Sequence, residues 1–460
     1  MKHIMKMGHG EIIANIANGN IVVSVIGLGW MGLPTACLFA EAGAKVIGVD
    51  SSQLIVDKIN SGVAHLPEPG VPELLKKHIK LKSIKATVDT TEAASQSDVI
   101  IILVPTLIDS QKKPDYSNVQ NACKKIGKGL EEDSLVMFES TCGPGITERI
   151  VKSTIEKYSG LKASESFGLA YSPIRAMSGR TLKDMQSYAR ILGALDNKSL
   201  EVAHAVLSTI VKGEIIKVSC IKTAEASKLF EVLYRDVNIA LANEFAIACE
   251  SFGIDYLEAM KAANSQPYSH LHIPGVGVGG HCLPVYPYLL LEEAKMADVR
   301  LELIERARRI NEDMPKHVFR LIADGLRVCG KTLKRSKVTI FGVSYRANVK
   351  ETRFSPAIEL INLLKRRGVK AIAYDPNYDF SEMEKMGLDV KPTFEQAVEG
   401  ADGLVIAVAH DEFKKLDLKK IAMRLRRPSL IVDCAHVIDP QEAENNGLVY
   451  RGVGRGVWIR

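Results

Sequence analysis

The chain has 460 residues, of which 46% are hydrophobic and 25% charged, and its formal net charge is +6. This length exceeds what one hydrophobic core normally supports, so we expect two or three domains, and the composition excludes a largely disordered or fibrous protein. No apolar run reaches the roughly 18 residues of a membrane-spanning helix, and residues 1–20 lack the apolar stretch of a signal peptide. We therefore predict a soluble protein with no membrane partner.

The cysteines and the basic residues indicate the redox environment of the protein and the kinds of ligand that it can bind. The eight cysteines are scattered singly, without a CxxC pair or a histidine cluster at metal-ligand spacing. This pattern favours reduced thiols in a cytoplasmic protein without a metal site. Basic clusters fall late in predicted helices, where they usually form a solvated face, so we predict no nucleic-acid partner. Positive charge would also suit a phosphate-bearing substrate.

From Ile21 onward, short runs of β-branched residues alternate with helix-like segments, which is typical of βαβ units and a parallel sheet. In this first α/β region the predicted strands are Ile21–Ile26, Lys45–Val49, Val99–Val104, Leu135–Glu139 and Gly168–Tyr171. Residues 1–20 precede it as an N-terminal extension, and such extensions are usually poorly ordered tails.

A helical pattern begins near Ile221 and continues for roughly thirty residues, or ~45 Å of helix. Such a helix is too long for one more βαβ crossover. We therefore predict that it joins two domains and buries an apolar stripe against a partner subunit, which gives a homodimer or a dimer of dimers.

After Lys331 the alternation of strands and helices restarts and predicts a second α/β region. Its predicted strands are Lys337–Phe341, Lys370–Tyr374, Gly403–Val408 and Leu430–Asp433, with a helix at about Pro356–Arg367. The glycine-rich residues after Gly447 are expected to be loose.

The hexapeptide Gly27-Leu28-Gly29-Trp30-Met31-Gly32 lies between a predicted buried strand and an apolar helix. In a dinucleotide fingerprint of this form, Gly27 permits the tight turn, Gly29 lets the backbone approach the pyrophosphate, and Gly32 lets the helix pack on the strand. Asp50 follows the second strand, where a carboxylate accepts hydrogen bonds from ribose hydroxyls and repels a 2′-phosphate. The pattern predicts an NAD site, the alternative being a turn that binds nothing.

Four glycines precede Cys282 within the segment Pro274–Cys282, and two prolines follow it closely. A backbone so free of side chains lets a ligand come close. Cys282 can act as a nucleophile if its thiolate is favoured, and His281 beside it would help to favour the thiolate. From these residues alone, an inert buried thiol is at least as good an interpretation.

Several motifs, taken in order, resemble the UDP-glucose/GDP-mannose dehydrogenase family from Ile21 to about His436. They are Val25–Gly29, Val104–Thr106, Glu139–Thr141 with Gly143–Gly145, Lys228-Leu229, Tyr234–Ala240 with Asn243-Glu244, Gly279–Cys282, Gly342, Arg353 with Ser355-Pro356, and Tyr374–Pro376. With the strand pattern, the resemblance implies an α/β fold of two Rossmann-like doubly wound domains joined by a long central helix. The second domain has only Gly342 at the turn that matches the fingerprint, so we expect it to bind a different ligand.

The resemblance also implies domain limits and an activity. The implied parts are an N-terminal extension at 1–20, an NAD-binding domain at 21–219, a central helical dimerisation segment with the cysteine loop at 220–330, and a UDP-sugar-binding domain at 331–460. The implied activity is an NAD-dependent oxidation of the C6 alcohol of a UDP-sugar to a carboxylate through a covalent intermediate on Cys282. Such an enzyme would serve polysaccharide biosynthesis.

The site residues implied by the resemblance fall into three groups. The catalytic group is Cys282, Lys228, Thr141 and His281. The cofactor-binding group is Gly27, Leu28, Gly29, Trp30, Met31, Gly32, Asp50, Pro105, Thr106 and Thr141. The substrate-binding group is Arg175, Ala176, Lys228, Arg235, Gly279, Tyr345, Arg346 and Arg353. His281 in Gly-Gly-His-Cys, where other branches have Gly-Gly-Ser-Cys, and Arg175 in a Ser-Pro-x-Arg setting resemble the branch of the family that oxidises UDP-N-acetylmannosamine, with UDP-N-acetylglucosamine and UDP-glucose left open.

Several positions depart from the family pattern. Tyr345-Arg346 replaces a Phe-Lys pair and keeps the charge, whereas three other changes remove a polar or acidic group. Val232 stands where the family has Asn, Ile174 where it has Glu, and Tyr286 where it has Asp. Loss of one oxyanion donor typically costs roughly 100- to 1,000-fold in rate, so a nearby group such as His281 compensates or the activity is low. Two alternatives stay open: a two-electron NAD dehydrogenase with a structural Cys282, and a weakly active nucleotide-sugar sensor.

Overall fold

The computed structural model describes residues 3–459 of the chain. Their strands are β1 Val22–Ile26, β2 Lys45–Val49, β3 Ile84–Thr87, β4 Val99–Ile102, β5 Leu107–Ile108, β6 Pro114–Asp115, β7 Leu135–Phe138, β8 Gly168–Tyr171, β9 Arg190–Ala194, β10 Ile215–Lys217, β11 Lys337–Phe341, β12 Lys370–Tyr374, β13 Gly403–Ile406, β14 Ser429–Asp433 and β15 Leu448–Gly452.

Most helices separate successive strands, singly or in runs of up to four. They are α1 His9–Ala17, α2 Gly32–Glu41, α3 Gln53–Asn60, α4 Val71–Lys80, α5 Thr90–Ser95, α6 Ser117–Gly129, α7 Ser153–Ser159, α8 Thr181–Ser187, α9 Asn197–Ser208, α10 Ile221–Phe252, α11 Tyr256–Ala263, α12 Tyr286–Met296, α13 Glu302–Val328, α14 Pro356–Arg366, α15 Phe380–Lys385, α16 Phe394–Val398, α17 Leu418–Arg424 and α18 Pro440–Asn445. Along residues 3–459, every helix is too short or too polar to cross a bilayer.

The chain divides into two compact units, and the long helix α10 runs from the first into the second. The first unit extends to Glu231 and includes Tyr288–Val299, while the second comprises Val232–Pro287 and the chain from Arg300 onward. The predicted α/β fold, with two Rossmann-like domains and a long central helix, is confirmed.

An eight-stranded sheet in the order β10-β9-β8-β7-β4-β1-β2-β3 forms the centre of the first unit. Its neighbouring strands are parallel except for the β8–β9 pair. All four residues of β4 are fully buried, as expected for a central strand covered on both faces. The loops that follow β1, β2, β4, β7 and β8 therefore leave the sheet at the same edge, which is where ligands bind in open α/β sheets.

The N-terminal extension is folded, so the expectation of a poorly ordered tail is wrong. Ile4, Ile12 and Ile16 are buried in the core of the first unit, and α1 packs against α9. Ile12 and Ile16 lie four residues apart and share one face of α1, which provides the apolar stripe that docks the helix. Against a core this large, even a short stripe buries enough apolar surface to order the segment.

The second unit contains a five-stranded parallel sheet in the order β12-β11-β13-β14-β15. Strand β15 pairs with β14 in the register Ser429↔Leu448, and Val453 after it is buried. The expectation that the residues after Gly447 are loose is therefore wrong. The run Leu448-Val449-Tyr450 has the β-branched and aromatic character of a strand, and the later glycines obscured it.

Candidate functional site

The three glycines of the turn after β1 differ in what surrounds them. Gly27 has φ +100°, and a Cβ on it would lie 2.7 Å from the carbonyl oxygen of Leu103. A Cβ on Gly32 would lie 1.7 Å from the carbonyl oxygen of Gly27, whereas one on Gly29 would meet no protein atom within 4 Å. Gly27 and Gly32 are thus required by the packing of the chain. Gly29 instead leaves open space above the turn, which fits the approach of a pyrophosphate.

Asp50 closes the other side of this turn at the end of β2. Its carboxylate accepts hydrogen bonds from the backbone N–H of Leu28 at 3.1 Å and of Ser52 at 3.0 Å, and it is half-buried. The side chain of Leu28 packs over Gly48, while Trp30 and Met31 are half-buried at the start of α2. Each carboxylate oxygen has a second lone pair, so Asp50 can also accept a ribose hydroxyl. The predicted cofactor residues Gly27–Gly32 and Asp50 therefore lie around one turn that fits NAD.

Pro105, Thr106 and Thr141 lie in the loops after β4 and β7, which are neighbours in the sheet. The hydroxyl of Thr106 donates to the carbonyl oxygen of Thr141 at 2.7 Å, and Ser140 donates to the carbonyl oxygen of Val104 at the same distance. These bonds bring the three predicted residues together.

Glu225 on α10 anchors the loop that carries Thr141, and the sequence did not indicate it. Its buried carboxylate accepts hydrogen bonds from the backbone N–H and the hydroxyl of Thr147, at 2.8 and 2.6 Å, and from the backbone N–H of Gly145. Burial raises the pKa of Glu225 although these bonds oppose the shift. Glu225 lies one helical turn before Lys228, so it ties the Thr141 loop to the helix that bears the lysine.

Glu231 connects two predicted substrate residues, Arg175 and Lys228. One carboxylate oxygen lies 2.8 Å from Nε of Arg175, and the other lies 3.9 Å from Nζ of Lys228, which is largely buried. Ala176, next to Arg175, packs against the core of the first unit. The spacing of Glu231 on α10 could have suggested its contact with Lys228, but the contact with Arg175 depends on tertiary structure.

The two apolar departures in this region have a simple structural account. Ile174 is buried in the apolar core of the first unit, and Val232 is also buried. A buried ion pair lies beside the loop that carries Ile174, since Arg190 lies 2.7 Å from Glu139. Arg190 also donates to the hydroxyl of Ser172 at 2.9 Å. Arg190 thus holds the start of the Arg175 loop to the start of the Thr141 loop.

In the second unit, buried polar side chains fix the cysteine loop at both ends. Asn243 on α10 accepts a hydrogen bond from the backbone N–H of Gly275 at 3.0 Å. Arg308 on α13 donates to the carbonyl oxygen of Leu283 at 3.0 Å and to Asp236 at 2.8 Å. Burial raises the pKa of Asp236 to about 6, although Arg308 opposes the shift. This network anchors the loop that carries Cys282 to the two long helices α10 and α13.

Cys282 differs from most other cysteines of the chain in its surroundings. It is half-buried, and its carbonyl oxygen accepts hydrogen bonds from Val285 and Tyr286 as the chain turns into α12. Burial raises the pKa of Cys37 and Cys123 to about 12. By contrast, Cys220 is exposed, and a hydrogen bond from Thr223 lowers its pKa.

The cysteine loop packs against the loop after β11, which carries further predicted substrate residues. The backbone N–H of Gly280 donates to the carbonyl oxygen of Arg353 at 2.8 Å, and a Cβ on Gly279 would lie 2.7 Å from Cβ of Tyr345. The ring of His281 contacts Arg353 at 3.3 Å. Gly279, His281, Tyr345 and Arg353 therefore lie together. Arg346 is half-buried in the same loop, whereas Arg235 is exposed on α10.

The turn after β11 has the same hydrogen-bond pattern as the cofactor turn, but its aspartate is buried. Gly342 has φ +87°, and the carboxylate of Asp375 accepts hydrogen bonds from the backbone N–H groups of Val343 and Ser344. Asp375 is fully buried and lies 3.2 Å from His410. Since its carboxylate is buried and satisfied, it cannot receive a ribose hydroxyl as Asp50 can.

Comparison with known proteins decides the family. Three family models match successive parts of the chain: the NAD binding domain of the UDP-glucose/GDP-mannose dehydrogenase family at residues 21–211, its central domain at 222–313, and its UDP binding domain at 339–440. The chain belongs to the UDP-glucose/GDP-mannose dehydrogenase family. It is an NAD-dependent dehydrogenase of UDP-sugars, so the predicted family, enzyme class and cofactor are confirmed.

The relatives of this dehydrogenase cover nearly all of it. A UDP-N-acetyl-D-mannosamine dehydrogenase from Pyrococcus horikoshii is 37% identical over 94% of this chain and 99% of its own length. The solved structure of that archaeon's UDP-D-ManNAc dehydrogenase matches with a TM-score of 0.87 over 95% of this chain and 100% of its own. An NDP-N-acetyl-D-galactosaminuronic acid dehydrogenase from Methanosarcina mazei matches with a TM-score of 0.83 at 30% identity, over 99% of this chain and 100% of its own.

Proposed function

We propose that the dehydrogenase oxidises the C6 alcohol of UDP-N-acetyl-D-mannosamine to a carboxylate, reducing two NAD per sugar. The observation that carries this proposal is the cysteine loop, in which buried residues of α10 and α13 hold a half-buried thiol in a fixed backbone. An alcohol dehydrogenase that releases an aldehyde has no need of such a nucleophile. The names of the relatives from Pyrococcus and other archaea favour this sugar over UDP-N-acetylglucosamine and UDP-glucose.

The proposed chemistry consists of two hydride transfers, one covalent intermediate and one hydrolysis. NAD held at the turn of Gly27–Gly32 and Asp50 would supply the hydride acceptor for both oxidations. As the alcohol becomes an aldehyde, its hydroxyl proton leaves to solvent, and the ammonium of Lys228 stabilises the negative charge that develops on the C6 oxygen, because an ammonium in a water-poor site acts strongly on nearby charge. The thiolate of Cys282 then adds to the aldehyde carbon and forms a thiohemiacetal, which keeps the intermediate bound. Loss of the second hydride leaves a thioester, and water breaks its C–S bond to give the acid.

The other residues have roles in positioning. Thr141 orients water or substrate near the nicotinamide. Arg175, Arg346 and Arg353 suit the oxygens of a diphosphate and a sugar, since a guanidinium donates several hydrogen bonds in a fixed plane. The ion pair with Glu231 aligns Arg175.

We also propose that two copies associate through α10. Four aromatic side chains of this helix are well exposed, and at 100° per residue they fall within about 60° of one another. They are Phe230 at 60%, Tyr234 at 61%, Phe245 at 42% and Phe252 at 72% exposure. A stripe of this kind on a helix typically packs against a partner. The eight free cysteines suit a cytoplasmic, reducing location.

The test of the reaction is the number of NADH formed per sugar when UDP-N-acetylmannosamine is limiting, for the wild type and for Cys282→Ser. We expect two NADH per sugar in the wild type and loss of the second oxidation in the variant. Two NADH with UDP-glucose or UDP-N-acetylglucosamine alone would keep the mechanism and change the substrate. One NADH per sugar with release of an aldehyde would contradict the covalent mechanism.

A second candidate is a weakly active sensor of nucleotide sugars, which the buried apolar side chains of Ile174 and Val232 favour. It predicts tight binding of a UDP-sugar in calorimetry together with no NADH from any of the three sugars.

A further inference from the structure

Glu351 lies beside the cysteine loop, and nothing in the proposed mechanism so far uses it. One of its carboxylate oxygens lies 3.0 Å from Nε2 of His281, the residue before Cys282, and the other accepts a hydrogen bond from the backbone N–H of Arg353 at 2.9 Å. The carbonyl oxygen of Glu351 also accepts a hydrogen bond from the backbone N–H of Tyr345. Glu351 is therefore held in place by its own loop while it contacts the histidine.

These contacts determine which nitrogen of His281 can take up a proton. An ionised carboxylate only accepts hydrogen bonds, so Nε2 of His281 carries the hydrogen and donates it to Glu351. A guanidinium only donates, and Nη1 of Arg353 lies 3.3 Å from Nδ1, so Nδ1 carries the lone pair. The hydrogen bond from His281 lowers the pKa of Glu351 and keeps it an ionised acceptor at neutral pH.

The hydrolysis of a thioester on Cys282 needs a group that accepts a proton from water. Four residues after the cysteine the chain has Tyr286, which is a poor base at neutral pH because a phenol ordinarily ionises near pH 10. Imidazole ionises near neutral pH and suits this task. A carboxylate that holds the far nitrogen fixes the orientation of the ring and stabilises the imidazolium that forms.

We propose that Glu351 positions His281 as the general base that hydrolyses the Cys282 thioester. Nδ1 of His281 takes a proton from water while the water oxygen adds to the thioester carbonyl; the C–S bond then breaks and the electron pair returns to the thiolate. Glu351 stabilises the imidazolium through Nε2. Because Nη1 of Arg353 lies 3.3 Å from Nδ1, the proposal requires the guanidinium to turn from Nδ1 toward the anionic substrate before the base acts. The inference rests on the proposed function.

The test follows the hydride transfers and the hydrolysis separately in the full-length chain. Wild type, His281→Gln, Glu351→Gln and the control Glu359→Gln are mixed rapidly with NAD and UDP-N-acetylmannosamine. Glu359 is an exposed residue of α14 with only a loose ion pair to Arg366 at 3.8 Å, so its variant controls for loss of one carboxylate. NADH formed per active site is recorded over the first turnover, and acid-quenched protein is weighed by mass spectrometry.

We expect His281→Gln and Glu351→Gln to form two NADH per site at the wild-type rate and then to turn over at least about tenfold more slowly. The quenched variants should carry the sugar acyl group on Cys282, and their turnover should recover as rising pH supplies hydroxide. A merely structural role for Glu351 would misplace Cys282 and slow the second hydride as well, without acyl-enzyme; that result overturns the inference. If the wild type itself fails to form two NADH, the proposed function fails instead.

Discussion

The glycines of the cofactor turn differ in their surroundings, as Gly29 and Gly32 illustrate. Both have one more hydrogen in place of a side chain, yet only Gly32 is crowded by protein atoms. A methyl group on Gly32 would collide with the carbonyl of Gly27, whereas one on Gly29 would point into open space. The fingerprint therefore contains a glycine that the packing of the chain requires and a glycine that the packing does not require, for which we predict a role in binding.

Gly29→Ala should leave stability almost unchanged and weaken NAD binding at least about tenfold, because the methyl group blocks the approach of the pyrophosphate. Gly32→Ala should instead lower stability by more than about 2 kcal/mol, because helix α2 must shift away from the strand. Thermal unfolding and NAD titration of both variants check the prediction. Equal losses of stability in the two variants would contradict it.

At the scale of residues, the sequence indicated those residues that belong to a local motif. The glycine turn, Asp50 and the cysteine loop are recognisable because each motif is contiguous or follows a strand. Glu225, Glu231 and Glu351 were missed, because each contacts a loop that is distant in sequence. In the sequence alone, their surroundings are the same as those of an ordinary exposed glutamate. The roles of the predicted catalytic residues stay predictions.

At the scale of elements, the two glycine turns share one hydrogen-bond pattern but differ in whether a ligand can reach their aspartate. In each turn, the glycine N–H donates to the carbonyl of the last residue of the neighbouring strand, and the aspartate that follows accepts backbone N–H groups of the turn. Asp375 differs from Asp50 in being buried against His410. Burial favours the neutral carboxyl, but the hydrogen bonds from His410 and the backbone outweigh it and hold the pKa of Asp375 below its usual value.

Asp375→Asn should destabilise the second unit by about 2 kcal/mol at neutral pH, because a charged acceptor of several hydrogen bonds is lost. A lowered pKa in the folded state gives stability that is present above the unfolded-state pKa and is lost as pH falls through the folded-state value. The gap between wild type and variant should therefore shrink below about pH 4. Urea unfolding across this pH range measures it, with the exposed Asp389→Asn as control. A gap that widens in acid would refute the assignment.

The strands themselves were predictable where they are buried on both faces. Lys45–Val49, Gly168–Tyr171, Lys337–Phe341 and Lys370–Tyr374 occur with the predicted bounds. Strands β3, β5, β6, β9, β10 and β15 were missed. β5 and β6 have only two residues each and form a small sheet of their own, β3, β10 and β15 are edge strands, and β9 runs antiparallel to β8.

At the scale of the whole molecule, the proposed dimer rests on one face of one helix. Phe245 lies in the middle of the exposed aromatic stripe of α10 and has a hydrophobic side chain that serves no contact in the proposed mechanism. A charge there would have to be buried without a partner in an interface, which costs several kcal/mol.

Phe245→Glu should convert the dimer to a monomer at micromolar concentration while leaving the fold of each unit intact. Light scattering coupled to gel filtration measures the mass, and circular dichroism checks the fold. Leu54→Glu provides the control, since Leu54 is also apolar and is exposed, at 66%, but lies on α3. An unchanged mass in Phe245→Glu would place the interface elsewhere.

The uneven surroundings of the cysteines have a consequence for covalent inhibitors and chemical labelling. Cys220 is exposed and its thiolate is favoured, so an alkylating reagent would modify it readily although it has no part in the proposed reaction. Uptake of label and loss of activity would then follow different time courses in the native chain. Cys249 is half-buried like Cys282, so a Cys220→Ser, Cys249→Ser background is needed for the two to report on the same thiol, and there a substrate that protects Cys282 would slow both together.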